Sequence, residues 1–180
     1  MANVDKLAVD LLEEAKRFYE RGVEEANKDG KTAYIHATLL LSIAALEAHV
    51  NSVAEDFLAR PEFSVLEHSL LGEIDFKLDN GQFILTDRLK MYRLSDRIEF
   101  LYRRFAGRPI DKNQVWWSRL QEALNSRNEL SHPKKAGAFT VKMAKDALSG
   151  VVAAIDQLYR VVYKKPYPGF RRQLDSIFDF

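Results

Sequence analysis

One short stretch of the chain gathers a guanidinium, an amide and an imidazole: Arg127, Asn128 and His132, in Arg127-Asn128-Glu129-Leu130-Ser131-His132-Pro133. Forked guanidinium donors neutralise phosphate oxygens, and an imidazole is the side chain suited to moving a proton near neutral pH. The set needs no metal and suits a phosphodiester. At about 100° per residue, the apolar stripe of this segment holds Trp116, Leu120, Ala123, Leu124 and Leu130, with Arg127 near its middle. A charge in that position is costly unless it is paired or faces a wet cleft. Breaks of this kind in the local folding pattern tend to mark sites. Asn128 and His132 are four residues apart and share a helix flank, where the amide can hydrogen-bond the imidazole. Pro133 frays the helix end and frees the ring to turn toward Arg127.

Other chemistry is weighed against this one. Glu129 and His132 form a Glu-x-x-His pair, the spacing of di-iron bundles, but such a site needs two pairs. His36, His49 and His68 are preceded at that spacing by Ala33, Leu46 and Val65. The chain has no cysteine, which removes disulfides, thiolate metal sites and cysteine nucleophiles. The expectation is therefore no metal and no cofactor. His36 reads as a core or interface group, and His49 and His68 as surface groups. Trp116 and Trp117 read as core plus interface rather than as a base-stacking platform. The pairs Arg103-Arg104, Lys164-Lys165 and Arg171-Arg172 read as solvated charge. Lys134 and Lys135 follow His132 directly and are the candidates for RNA binding. The formal net charge is +1, so any RNA contact must come from such a local patch.

The elements that must position these residues are helices. Only 8 glycines and 5 prolines occur in 180 residues, too few for a fold of many short strands. A first helix is expected over 5–28, with Leu7, Leu11, Ala15, Phe18 and Gly22 inward, broken by Asp29-Gly30. A second, capped by Thr32 and running to about Leu58, turns Leu39, Ile43, Leu46, Val50 and Phe57 inward. Segment 62–85 predicts a short helix over 63–71, then an irregular excursion or small hairpin at Asp79-Asn80-Gly81. Met91, Leu94, Ile98, Leu101 and Phe105 mark the next helix, stopped by Gly107 and Pro109. The helix carrying Arg127 runs over 112–131. A last one, capped by Thr140, runs to about Tyr163. The tail is too apolar to be free and is expected to dock, on the body or on a second subunit. The whole reads as one all-α domain over 1–180: a bundle of four to five long helices with a short irregular insertion and a docked tail at 165–180. The apolar run 37–50 is interrupted by Thr38, Ser42, Glu47 and His49 and is too short and polar to span a bilayer. With no signal-peptide pattern at the start, a cytoplasmic location with no membrane association is expected.

The segment Arg127 to His132 resembles the Arg-x4-6-His signature of HEPN domains, including the polar residue that follows the Arg. Leu40-Leu41-Ser42-Ile43-Ala44-Ala45-Leu46-Glu47-Ala48-His49-Val50-Asn51 resembles the second helix of many HEPN proteins, with an acidic residue in an apolar run. The helices at 94–105 and 140–163 stand in the family's order, and segment 62–85 departs from it. The resemblance implies a HEPN-like bundle that forms a homodimer with the Arg–His helices at the interface. It implies a metal-independent endoribonuclease that cuts RNA by 2′-hydroxyl attack and leaves a 2′,3′-cyclic phosphate, acting as a toxin or antiviral effector. Arg127 would stabilise the phosphorane, Asn128 would orient groups, His132 would be general acid or base, and Glu47, facing Arg127, would position it. A nucleotidyltransferase-type antitoxin is the partner such toxins imply. The alternative is a non-catalytic helical module that binds a nucleotide or a partner protein on the same scaffold.

Overall fold

The computed structural model describes residues 4–134 and 137–180. They form, in order, α1 (Val4–Glu24), α2 (Lys28–Leu58), α3 (Val65–Gly72), β1 (Ile74–Asp79), β2 (Gln82–Leu89), α4 (Leu94–Ala106), α5 (Val115–Ser131) and α6 (Val141–Tyr163). Five helices are long, as expected, and the fold is a mostly helical bundle. The purely all-α reading is corrected in one respect, because the insertion is regular. Ser64 and Glu67 form a reciprocal capping box that starts α3. The chain then folds into an antiparallel hairpin that pairs Phe76 with Leu85 and Leu78 with Phe83. Asn80 and Gly81 both have positive φ, 47° and 81°, the geometry of the tight hairpin turn whose twist matches its strands.

The start of α2 also differs from expectation. Asp29-Gly30 does not break a helix but lies in the first turn of α2. Asn27 is the cap, and its side chain accepts from the N–H groups of Asp29 and Gly30. An Asn cap followed by an Asp in the first turn satisfies the free amides and suits the positive helix end. The inward face of α1 is rotated from the expected one. Ala15 and Gly22 are buried as expected, but so are Ala8 and Leu12, while Leu7 is exposed.

The core lies where α1, α4, α5 and α6 pack around α2. Leu39, Ile43, Leu46, Val50 and Phe57 of α2 are all buried, as are Ile98, Leu101, Leu120, Leu148, Val152 and Ile155. By length and composition α2, with 31 residues, could cross a membrane; here more than half of its apolar window is buried in the bundle. Helices α5 and α6 approach backbone to backbone at Gly150, where a Cβ would stand 2.9 Å from the backbone of Arg119 and Leu120. His49 is buried, not superficial. It sits edge-on to the rings of Tyr159 and Tyr167.

The tail docks on α1. Glu13 and Lys16 are fully buried and paired at 3.0 Å. Arg172 donates to Glu13 Oε1 at 2.8 Å, the Ile177 N–H donates to Oε2 at 2.9 Å, and Ser176 Oγ donates to the Glu13 carbonyl at 2.8 Å. Burial raises the Glu13 pKa, but the donors from Arg172, Ile177 and Lys16 outweigh it and hold the carboxyl below its ordinary value.

Candidate functional site

A cleft of about 560 Å³ opens between the middle of α2, the end of α3, the start of α4 and the last two turns of α5. It lies in the size range of ligand sites. Arg127, Asn128 and Glu47, three of the residues singled out in the sequence, line it. The stripe Leu120, Ala123, Leu124 continues by helical spacing to Arg127. At that point the bundle parts, so the guanidinium enters the cleft rather than the core. Arg127 is half-buried, and its Nε is buried without a partner. Among the described residues it forms no ion pair within 4.0 Å. Glu47 therefore does not clamp Arg127 directly, as had been expected.

The carboxylate field of Glu47 falls instead on Arg97, a residue the sequence reading missed. Arg97 is 3% exposed, on the buried face of α4 between Leu94 and Ile98. It donates to Asn51 Oδ1 at 2.7 Å and to the Leu71 carbonyl at 2.9 Å, and pairs with Glu73 at 3.2 Å. These bonds tie α4 to α2 and to the end of α3. Burial lowers the Arg97 pKa, opposed by Glu73 and Glu47. The signal that found Arg127, a charge inside an apolar stripe, would have found Arg97 too.

The hairpin brings its two ends to this cleft. Glu73, in the left-handed region at φ 52°, accepts at its carbonyl from the Lys90 N–H at 2.8 Å and at its carboxylate from the Tyr92 N–H at 3.3 Å. The Tyr92 hydroxyl shares a 2.6 Å hydrogen bond with Ser69 Oγ. Glu73, Tyr92 and Arg93 thus form one wall of the cleft.

His132 stands elsewhere. It ends α5, its N–H donating to the Asn128 carbonyl at 2.9 Å. Its side chain is exposed and opens on a separate groove of about 340 Å³ with Glu129, Lys134 and Phe139. Among the described residues, the Asn128 amide and the imidazole share no hydrogen bond. Five residues of helix advance about 500°, which puts position 132 about 140° around the axis from Arg127, and His132 itself leaves the helical conformation as the C-cap, with φ −132° and ψ 64°. Lys134 is exposed beside His132, whereas Lys135 lies outside the described residues. Among the described residues, no three His, Asp or Glu side chains gather as a metal site requires.

One chain can therefore hold an anion at Arg127 and exchange a proton at His132, but on two different faces. Compared with protein-family models, curated proteins and solved structures, the chain gives no match.

Proposed function

We propose that the protein is a metal-independent endoribonuclease of the HEPN type, acting as a homodimer in a toxin or antiviral role. The observation that supports this most is Arg127: a half-buried guanidinium with an unpartnered Nε, in a cleft that also holds Asn128 and Glu47. A buried donor without a partner calls for an anion or water. In the reaction, the 2′-hydroxyl loses its proton and its oxygen bonds to the adjacent phosphorus. The bond from phosphorus to the 5′-oxygen breaks, and that oxygen takes up a proton. The products are a 2′,3′-cyclic phosphate and a 5′-hydroxyl. Arg127 holds the charge on the phosphoryl oxygens, a contribution of about 3–4 kcal/mol for a preorganised donor. His132 transfers the proton, typically about 10²–10⁴-fold in rate. Because His132 and Arg127 diverge within one chain, the reaction requires two copies whose α5 ends meet, so that each cleft is completed across the interface. Lys134 flanks the strand. A nucleotidyltransferase-type antitoxin would be the cognate partner in a toxin pair.

The exposed His132 in its own groove favours a second reading, a non-catalytic module that holds a nucleotide or a partner at the Arg127 cleft. One assay separates the two. Purified protein is incubated with structured and unstructured RNA in EDTA, and the product ends are mapped. Cyclic phosphate ends that vanish in both His132→Ala and Arg127→Ala are expected. Arg127 has no ion-pair partner to strand, so Arg127→Ala is expected to stay folded, within about 1 kcal/mol of the parent. No cutting by the parent, or undiminished cutting by His132→Ala, leaves the binding module as the function.

A further inference from the structure

The cleft contains more donors than its Arg127 end uses. Among the described residues, five buried side-chain nitrogens have no partner. Three of them, Arg97 Nε, Gln121 Nε2 and Arg127 Nε, belong to residues lining this cleft. Buried donors are nearly always satisfied in folded proteins, so three such donors on residues that line one cleft call for an acceptor there. Arg97 is fixed by Asn51, Leu71 and Glu73, which leaves its remaining N–H immobile and preorganised.

The start of α4 opens on the same place. Arg93, Leu94 and Ser95 line the cleft, and the cap residue Arg93 makes no side-chain cap hydrogen bond. In the first turn of this 13-residue helix the Asp96 and Arg97 amides donate to the Arg93 carbonyl, which leaves the Leu94 and Ser95 amides without an intrahelical acceptor, and the helix dipole presents partial positive charge. The cleft's acids are Glu47 and Glu73. Against Arg93, Arg97 and Arg127 they leave a net positive charge of one.

We propose that the N-terminus of α4, together with Arg93, Arg97 and Gln121, is a second phosphate subsite, which takes the phosphodiester neighbouring the one at Arg127 on a single-stranded nucleic acid. Helix N-termini and guanidinium forks are both phosphate ligands, and Tyr92 stands beside them for the adjoining base or sugar. The identity of the strand rests on the ribonuclease reading; the subsite itself rests on the donors.

The test measures anisotropy of a labelled 2′-O-methyl oligonucleotide, which has the phosphates of RNA but no 2′-hydroxyl to attack, across a salt series. The variants are Ser95→Asp and Arg93→Ala. An acid in the first turn favours the helix, and Arg93 is exposed, so both variants keep the fold, checked by circular dichroism. Arg97 itself is not varied, because it ties three helices together. Ser95→Asp is expected to weaken binding about tenfold or more, and each variant to lower the salt slope by about 0.7, the loss of one phosphate contact on a single strand. Unchanged affinity and slope in both variants, or a parent that does not bind the probe, overturns the subsite. If RNA is never cut but the probe is still lost in Ser95→Asp, the subsite stands and the ribonuclease reading falls. If Ser95→Asp cuts RNA with the parent's KM, the subsite falls alone.

Discussion

His49 shows what burial does to a single titratable residue. It is 2% exposed, its Nε2 has no partner, and two tyrosine rings enclose it. Burial pushes its pKa down to about 4, only weakly opposed by the charge of Asp5. In the unfolded chain an imidazole titrates near 6.5. The folded pKa is depressed, so stability is fully present above about pH 6.5 and is lost as pH falls toward 4, where only the unfolded chain binds the proton. The loss over that window is about 3 kcal/mol. His49→Phe can occupy the aromatic site without a proton to gain. Urea unfolding from pH 7 to pH 4 is expected to show a steeper loss of stability in the parent than in His49→Phe; parallel curves would remove His49 as the cause. The sequence placed His49 on the surface because a polar type on the flank of a long helix usually faces water. Helix α2 is instead covered along most of its length, by α6 and the tail as well as by α1. At the same scale, Arg127 could be read from the sequence because a charge interrupts a clean apolar stripe, Asn128 because it follows on the helix flank, and Glu47 only through the family resemblance. That Glu47 acts on Arg97 rather than Arg127 could not be read, because it depends on which helix lies opposite.

Among the elements, α6 packs behind α5, the helix that carries Arg127 into the cleft. Gly150 lets α6 approach α5 so closely that a Cβ would meet the α5 backbone at 2.9 Å. Backbone cannot yield as a flexible side chain does. Gly150→Ala is expected to push α5 outward, to cost about 1–3 kcal/mol by overpacking, and to reduce any activity or binding that depends on Arg127. A thermal melt no lower than the parent's would show that the contact can relax. Nothing in the sequence singles out Gly150, because composition does not show which neighbour comes close. The stripe of α2 was read well: Leu39, Ile43, Leu46, Val50 and Phe57 are all buried. The α1–α2 boundary was misread because Asp29-Gly30 is a turn signal only when no cap precedes it, and Asn27 does. In α5 the buried tryptophan is Trp117, with Trp116 only half-buried at the edge. The stripe read from the sequence had taken Trp116 instead, because adjacent indoles differ by only about 100° in helical phase.

For the whole molecule, the divergence of Arg127 and His132 makes assembly the central question. A two-fold contact between α5 ends is expected, closed two-fold dimers being the commonest solution. The absence of native cysteine allows single introduced thiols to report on it. Ser131→Cys lies exposed at the end of α5, and Asp87→Cys lies exposed on β2. Light scattering is expected to give twice the chain mass, and a short bis-maleimide is expected to join Ser131→Cys pairs and not Asp87→Cys pairs. A monomer would count against a shared cleft. Linkage only through position 87 would place the interface on the hairpin, whose Leu78, Phe83 and Leu89 are exposed, and would leave His132 alone on its own face.

The clasp between α1 and the tail also has a consequence in time. Glu13 is made early, yet its donors Arg172 and Ile177 lie 159 and 164 positions further along the chain. At about 5–20 residues per second, ribosomal synthesis separates the carboxylate from the guanidinium that completes its burial by roughly 8–32 s. Through that interval α1 can pair Glu13 only with Lys16, one turn away, and burying a carboxylate so sparsely satisfied is unfavourable. Helix α1, made before the helices it packs against, is thus among the last of them to settle, and its docking on α2 is held back until the tail arrives.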